Sequence, residues 1–119
     1  MKAASLCALV VAIAAAGPLA QERVDTPQVG EPEAIRTGRS FYQAQCASCH
    51  GTAGEGKDSI AKMFKVEMKP LSSKEVQDKS DADLKKVILE GTGKMKAVKD
   101  LDAKNADDIV AYLRTLAKK

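Results

Sequence analysis

The sequence is poor in the residues from which most protein sites are built. Its 119 residues include one histidine, three cysteines, no tryptophan, two tyrosines and two phenylalanines. So few cysteines exclude a framework of several disulfides, and once a leader with Cys7 is removed, two cysteines and one histidine are too few ligands for an ordinary four-ligand zinc site. The scarcity of large aromatic side chains predicts a thin core, which a bulky apolar cofactor would complete.

The sequence also lacks a strong excess of one charge. There are 19 basic and 16 acidic residues, for a formal net charge of +3, and removal of Lys2 with a leader would reduce it to +2. A nucleic-acid-binding domain carries a marked basic excess, usually clustered on one face. We therefore expect no nucleic-acid partner.

The first twenty residues have the layout of a secretory signal peptide. Lys2 gives a positive start, residues 6–16 form an uncharged apolar run too short to span a bilayer, and Ala20 offers a cleavage point. We predict that residues 1–20 are cleaved, that residues 21–31 form a flexible leader and that residues 32–119 form one small domain. The protein is then expected in the periplasm or otherwise exported, without stable membrane insertion unless the signal segment is retained.

Helical periodicity and capping residues predict an all-α domain. No alternating pattern predicts a strand, and residues 91–101 are expected to form a loop. The buried face of the last helix is predicted to consist of Ala106, Ile109, Val110, Leu113 and Leu116. The expected helical segments are residues 33–47 and 58–64, a brief segment through Gln77 that Ser72 or Ser73 caps, a segment from Ser80 to Gly91, and a segment that Asp102 caps.

Most of the chemistry lies in the segment QAQCASCHGTAGEGK, which contains Cys46, Cys49 and His50. A zinc site would need further ligands from carboxylates or a second chain. A thiol–disulfide pair uses this cysteine spacing, but normally at the start of a helix in a βαβ unit, whereas this pair follows a predicted helix. A structural disulfide would close too small a loop to gain much stability.

Covalent haem attachment accounts for all three residues. Cys-x-x-Cys-His is an attachment signature: two thiols three positions apart form thioethers with the vinyl groups, and the next residue ligates the iron. Export supports this interpretation because the attachment takes place outside the cytoplasm. We predict one covalent haem c held by Cys46 and Cys49, with His50 as an axial iron ligand.

The second axial ligand cannot be a histidine, because the chain has no other. Met63, beside Phe64, is predicted to fill the core. Met68 lies in a lysine-rich run and stays a candidate, and an open or water-filled site is a further alternative. We favour Met95, because the sequence GTGKMK places it in a glycine-flanked loop between two helices. A His/Met pair raises the reduction potential and occupies both axial sites, which favours electron transfer.

With these residues assigned, the chain resembles the class I c-type cytochromes, small soluble monohaem proteins, over about residues 35–118. Gly38 and Tyr42 precede Cys46 by eight and four residues, where this family packs a glycine and an aromatic side chain against its C-terminal helix. DIVAYLRTL resembles that closing helix, with Tyr112 as its aromatic. CASCHG is the haem motif, and GKMKAVKDL resembles the segment that supplies the methionine ligand.

The resemblance implies a cytochrome c-like fold of three to five helices around one covalent haem, with the N- and C-terminal helices crossing. Two positions depart from the family pattern. Lys96 follows Met95, where many relatives have proline. The first proline after His50 is Pro70, twenty residues later, where many relatives have one after about a dozen.

The implied function is that of a monomeric carrier that shuttles single electrons between larger redox proteins by transient docking. Donors would be dehydrogenases or reductases, and acceptors would be oxidases. The alternative is a haem-based ligand sensor or binder with a labile or absent sixth ligand. An enzyme is not expected, because the distal acid–base groups of a peroxidase are not found. A basic rim that steers acidic partners is predicted from five lysines, for which ordinary solubility is the alternative role: Lys65, Lys69, Lys94, Lys96 and Lys99.

Overall fold

The computed structural model describes residues 30–117. The predicted signal peptide and residues 21–29 of the predicted leader lie outside the described residues. The elements, in chain order, are α1 (Glu33–Gln45), α2 (Ala47–His50), α3 (Asp58–Phe64), α4 (Lys74–Gln77), α5 (Asp81–Glu90), β1 (Gly91–Thr92), β2 (Met95–Lys96) and α6 (Ala103–Thr115). Residues 30–117 contain six helical segments, against the three to five expected, and two of the six, α2 and α4, are single turns of four residues. Within residues 30–117, no helix is long and apolar enough to cross a membrane.

Side-chain caps begin three helices where the sequence predicts them. Ser73, Ser80 and Asp102 each accept a hydrogen bond from the backbone N–H three residues later, at 3.4, 3.1 and 2.7 Å. Each cap satisfies one of the backbone donors that a helix leaves without a partner in its first turn. Gly91 ends α5 with a φ of +78°. The predicted starts of α4, α5 and α6 and the end of α5 are confirmed.

The two terminal helices cross at Gly38, as the sequence predicts. Gly38 is buried, and a Cβ at this position would lie 1.9 Å from the carbonyl oxygen of Asp108 in α6. One turn later in α1, the Tyr42 ring packs on the Tyr112 ring, with centroids 5.2 Å apart and planes tilted by 55°. Both tyrosines are buried, so the prediction that they belong to the core is confirmed. The crossing places the end of α1, which leads into the cysteine motif, against α6.

The rest of the core comes from α5 and α6. Four of the five residues predicted for the buried face of α6 are buried, and Leu116 is half-buried. Asp108 is also buried, and its carboxylate accepts a hydrogen bond from Lys104, one turn earlier, at 2.9 Å. That hydrogen bond raises the pKa of Lys104. The apolar core residues of α5 and α6 are Leu84, Ile88, Ala106, Ile109, Val110 and Leu113.

The predicted loop after α5 contains a short β-hairpin. Gly91 pairs with Lys96 and Thr92 pairs with Met95 in antiparallel register. The two-residue turn begins with Gly93 at a φ of +53°, the left-handed conformation that such hairpin turns require at their first position. Two-residue strands are too short to carry an alternating pattern, which is why the sequence does not predict them.

The prediction that Met63 fills the core is wrong. Its side chain is 67% exposed near the end of α3, and the neighbouring Phe64 and Val66 are also exposed. Apolar residue type alone suggested burial, but α3 turns this end away from the core formed by α1, α5 and α6.

Candidate cofactor site

Cys46, Cys49 and His50 lie on a single helical turn that directly continues α1. The N–H of Cys46 donates to the carbonyl of Tyr42 at 2.8 Å and ends α1. The carbonyl of Cys46 then accepts from the N–H groups of Cys49 and His50 at 3.2 and 3.0 Å. Residues three and four apart on a helix share a face. The motif residues are therefore neighbours in space as well as in sequence.

The two thiols are unpaired and half-buried. Burial, together with the proximity of Cys49, raises the pKa of the Cys46 thiol to about 11. At neutral pH this thiol is protonated, whereas disulfide exchange requires the thiolate. The arrangement therefore does not favour the thiol–disulfide alternative.

His50 is half-buried, and its ring nitrogen Nδ1 has no hydrogen-bond partner among residues 30–117. Burial lowers the pKa of the imidazole, which favours the neutral form that binds metals. A buried polar atom without a partner costs about 1–3 kcal/mol. The ring is thus in the protonation state that a metal ligand needs.

The six residues that directly follow the histidine, residues 51–56, form a turn that we call the glycine loop. The N–H of Gly56 donates to the carbonyl of His50 at 2.6 Å, and the N–H of Gly54 donates to the carbonyl of Gly51 at 3.2 Å. The Glu55 carboxylate accepts from the N–H of Ala53 at 2.9 Å. Backbone N–H donors within the loop, those of Glu55 and Ala53, lower the pKa of that carboxyl. The loop folds back on the histidine through its own backbone.

Two side chains of α1 also hold the glycine loop. The hydroxyl of Tyr42 donates to the carbonyl of Gly51 at 2.6 Å, and Gln43 donates to the carbonyl of Thr52 at 2.9 Å. The sequence identified Tyr42 only as a core aromatic. Its one additional signal is the hydroxyl, which a purely apolar position would not need.

The two candidate methionines lie on different elements. Met95 is half-buried in β2, and a Cβ on Gly91 would lie 2.6 Å from the Met95 carbonyl oxygen, so hairpin closure depends on that glycine. Met68 is half-buried against the glycine loop, since its Cβ lies 3.5 Å from where a Cβ on Gly56 would be. Met68 therefore lies in a segment that contacts the glycine loop next to His50, whereas Met95 lies in the separate hairpin after α5.

Most of the lysines predicted to form the basic rim have no acidic partner. Among the described residues, four of the five predicted rim lysines are exposed and form no ion pair: Lys65, Lys94, Lys96 and Lys99. Lys69 differs, because its ammonium bridges the carboxylates of Glu67 and Glu75 at 3.1 and 3.2 Å.

The donor set fits a haem better than a bare metal ion. Within residues 30–117, no group of three or more histidine, cysteine, aspartate or glutamate side chains could hold a metal. A haem supplies four iron ligands of its own and needs from the protein only two thiols and an axial side chain. Cys46, Cys49 and His50 provide this set on one helical turn. The zinc alternative receives no support.

A small α-helical domain with this motif at the end of its N-terminal helix and in the short helix α2 defines a class I c-type cytochrome. Residues 33–113 match the family model described as "Cytochrome C oxidase, cbb3-type, subunit III". The match covers about two thirds of the chain, and the chain belongs to this family. Its cofactor is therefore a covalently attached haem c. A search of curated proteins finds no match.

Solved structures of c-type cytochromes have the same fold. The "KustC0563 c-type cytochrome" is 26% identical with a TM-score of 0.59, over 68% of this chain and 98% of that one. Cytochrome cL of Hyphomicrobium denitrificans is 26% identical with a TM-score of 0.56, over 71% of this chain and 48% of that one. Cytochrome cL of Methylophaga aminisulfidivorans is 24% identical with a TM-score of 0.57, over 74% and 56%, and shows the fold alone. The chain spans about half the length of both cytochromes cL.

Proposed function

We propose that the chain is an exported electron carrier that shuttles single electrons between larger redox proteins. Cys46 and Cys49 would hold the haem, and His50 and Met95 would bind its iron. The observation that carries this proposal is the helical turn with two unpaired thiols and a half-buried imidazole whose Nδ1 has no partner among residues 30–117. When bound, the haem iron supplies one-electron exchange between its ferric and ferrous states.

Attachment requires no oxidant or reductant. The thiols of Cys46 and Cys49 would each add across one vinyl group, with the sulfur bonding to one carbon and the thiol hydrogen ending on the other. Cys46 and Cys49 are three residues apart on one turn, so both sulfurs face the same side of the helix. His50 follows immediately, on the turn that the carbonyl of Cys46 closes.

The separation of the two methionines along the fold favours Met95 over Met68. Met68 packs against Gly56, whose N–H donates a hydrogen bond to the carbonyl of His50. Met68 therefore lies on the same side of the fold as the His50 backbone. A ligand on the opposite face of the haem is expected from an element that does not belong to this loop. The hairpin of Met95 is such an element.

Filling of both axial positions favours electron transfer over chemistry on a substrate. A thioether and an imidazole leave no open iron position, and the thioether favours the ferrous state. The exposed Lys94, Lys96 and Lys99 next to Met95 carry uncompensated charge that would steer acidic partners. We infer transient docking of a monomer with dehydrogenase or reductase donors and oxidase acceptors in the periplasm or another exported location.

The ligand assignment is tested by the far-red charge-transfer absorption of ferric haem with bound methionine. We expect this band in the wild-type holoprotein and in Met68→Ala, and we expect its loss in Met95→Ala. Met68→Ala is the matched control, because it removes the other half-buried methionine. Loss of the band in Met68→Ala, with its survival in Met95→Ala, would transfer the ligand role to Met68.

Carbon monoxide binding by the wild-type holoprotein distinguishes the electron carrier from the ligand-sensor alternative. A carrier with a firmly bound thioether binds carbon monoxide slowly in the ferrous state, because the methionine must leave first. Rapid binding by the wild type, together with absence of the far-red band, would reject the carrier and favour a haem-based ligand binder.

A further inference from the structure

The hydroxyl of Tyr42 is a buried polar group that packing of the terminal helices does not require. The Tyr42 residue is 0% exposed, and its ring packs on the Tyr112 ring at a centroid distance of 5.2 Å. A phenylalanine would make that ring contact equally well. The hydroxyl instead donates at 2.6 Å to the carbonyl of Gly51, the residue next to His50. Burial raises the pKa of the phenol, so the donor proton is retained.

The accepting carbonyl belongs to a tightly constrained corner. Gly51 is buried with a φ of +85°, and a Cβ at this position would lie 2.3 Å from the carboxyl carbon of Glu55. The same carbonyl accepts from the N–H of Gly54 at 3.2 Å. The Gly51–Thr52 peptide, which begins one residue after His50, is therefore held from two sides, by α1 through Tyr42 and by the glycine loop itself.

We propose that Tyr42 is a positioning residue for the axial histidine. Through its bond to the Gly51 carbonyl, it fixes the Gly51–Thr52 peptide and so the buried Gly51 corner directly after His50, and thereby the orientation of the His50 imidazole plane. This inference rests on the proposed function, in which His50 binds the iron. Metal-binding histidines are usually oriented by a hydrogen bond to their second ring nitrogen. Among residues 30–117, Nδ1 of His50 has no such partner, so the backbone that carries the ring provides the constraint.

The test compares Tyr42→Phe with Ser80→Ala in the holoprotein. Phenylalanine keeps the buried ring and removes only the hydroxyl. Ser80→Ala is the stability control, because it removes the cap at the N–H of Asp83. Amide hydrogen exchange at Gly54 and Gly56 is expected to be at least tenfold faster in Tyr42→Phe, relative to amides of α5. Ser80→Ala should leave these two rates within twofold of the wild type.

The second measurement is the electron paramagnetic resonance spectrum of the ferric protein, whose g-values depend on the orientation of the axial imidazole. The wild type and Ser80→Ala are expected to give one sharp low-spin species. Tyr42→Phe is expected to give broadened g-values or a second low-spin species, which loss of stability alone would not produce.

Two outcomes overturn the inference while leaving the carrier intact. In one, both exchange rates of Tyr42→Phe stay within twofold of the wild type. In the other, exchange accelerates but the g-values equal those of the wild type, so the hydroxyl only stabilises the loop. A wild-type spectrum without low-spin, six-coordinate haem would instead reject the proposed ligation by His50 and Met95, and the inference with it.

Discussion

Gly38 and Asp108 meet backbone to backbone where α1 crosses α6. A Cβ on Gly38 would lie 1.9 Å from the carbonyl oxygen and 2.5 Å from the carbonyl carbon of Asp108, closer than such atoms can approach. Any side chain at position 38 must therefore push the terminal helices apart. The Tyr42–Tyr112 ring pair, one turn further along α1, would separate with them.

Gly38→Ala is expected to destabilise the holoprotein by about 2 kcal/mol. An overpacking cost of about 3 kcal/mol is partly offset by the better helix propensity of alanine, about 1 kcal/mol. Denaturant unfolding measures the difference. Ser40→Ala, on the exposed face of α1, is the control and should change stability by no more than about 0.5 kcal/mol. Equal stability of Gly38→Ala and wild type would refute the close crossing.

Gly91→Ala is expected to weaken the Met95 hairpin. The glycine has a φ of +78°, and its Cβ would lie 2.6 Å from the Met95 carbonyl oxygen and 2.7 Å from the Ala97 nitrogen. The cost is expected to be about 1–3 kcal/mol, with a weaker far-red methionine band in the ferric protein.

Gly93→Ala is the matched control for the hairpin. Its φ is also positive, at +53°, but nothing lies within 4 Å of its Cβ position. The band should persist in this variant. Equal loss of the band in the two glycine variants would mean that backbone conformation, and not the contact with Met95, determines ligation.

Replacement of one motif cysteine is expected to leave a single thioether. In Cys46→Ser or Cys49→Ser, one vinyl group stays conjugated with the ring, so the alkaline pyridine haemochrome spectrum shifts to longer wavelength. The haem should still migrate with the protein on a denaturing gel. The double variant should lose it, whereas Cys7→Ser, in the predicted signal peptide, should not. An unshifted spectrum in either single variant would exclude attachment through that sulfur.

The ion pair between Glu31 and Arg39 is expected to make stability depend on acid pH. The guanidinium of Arg39 donates to the Glu31 carboxylate and also lies over the Tyr112 ring at 5.4 Å. The hydrogen bond from Arg39 lowers the pKa of Glu31 below its ordinary value of 4.5. The folded state therefore favours the ionised carboxylate, and this stabilisation is present above pH 4.5 and is lost as pH falls through the folded-state pKa.

Glu31→Gln should therefore melt at a lower temperature than the wild type at neutral pH, and the gap should close below about pH 4.5. In an Arg39→Gln background the same substitution should have no such pH-dependent effect. A gap that stays constant from pH 7 to pH 3 would show that the ion pair contributes nothing to the acid response.

The basic residues around Met95 are expected to control reaction with charged electron acceptors. The double variant Lys94→Gln/Lys96→Gln should slow oxidation of the ferrous protein by anionic ferricyanide severalfold at low ionic strength, and added salt should reduce the difference. Lys79→Gln/Lys86→Gln removes the same charge from exposed positions elsewhere and is the control. Equal slowing by both double variants would show that only net charge matters.

Much of the helical architecture could be predicted because its signals are local. Ser80 and Asp102 cap helices through contacts only three residues long, and the period of α6 shows its buried face directly. The glycine at position 38 was informative because a helix interior tolerates that residue only at some cost. The hairpin and the exposure of Met63 depend on tertiary packing, which leaves no short-range pattern.

The same distinction between local signals and long-range contacts applies to the candidate site. The spacing of Cys46, Cys49 and His50 was sufficient to predict that they are neighbours, because one helical turn contains them all. The bond from Tyr42 to Gly51 spans nine residues and depends on how the glycine loop folds back on α1. No sequence period encodes such a contact, so the hydroxyl of Tyr42 was not recognised as part of the site.

The segment between the glycine loop and α4 starts at this loop, extends outward through α3 and returns to contact the same loop. The N–H of Leu71 donates to the carbonyl of Gly54 at 2.8 Å, and Met68 lies against Gly56. Both ends of this excursion are thus fixed to the loop, while α3 at its tip exposes Met63 and Phe64. A change of length at the tip of this excursion would therefore alter the outer surface of the protein, while both of its ends stay attached to the loop beside the haem motif.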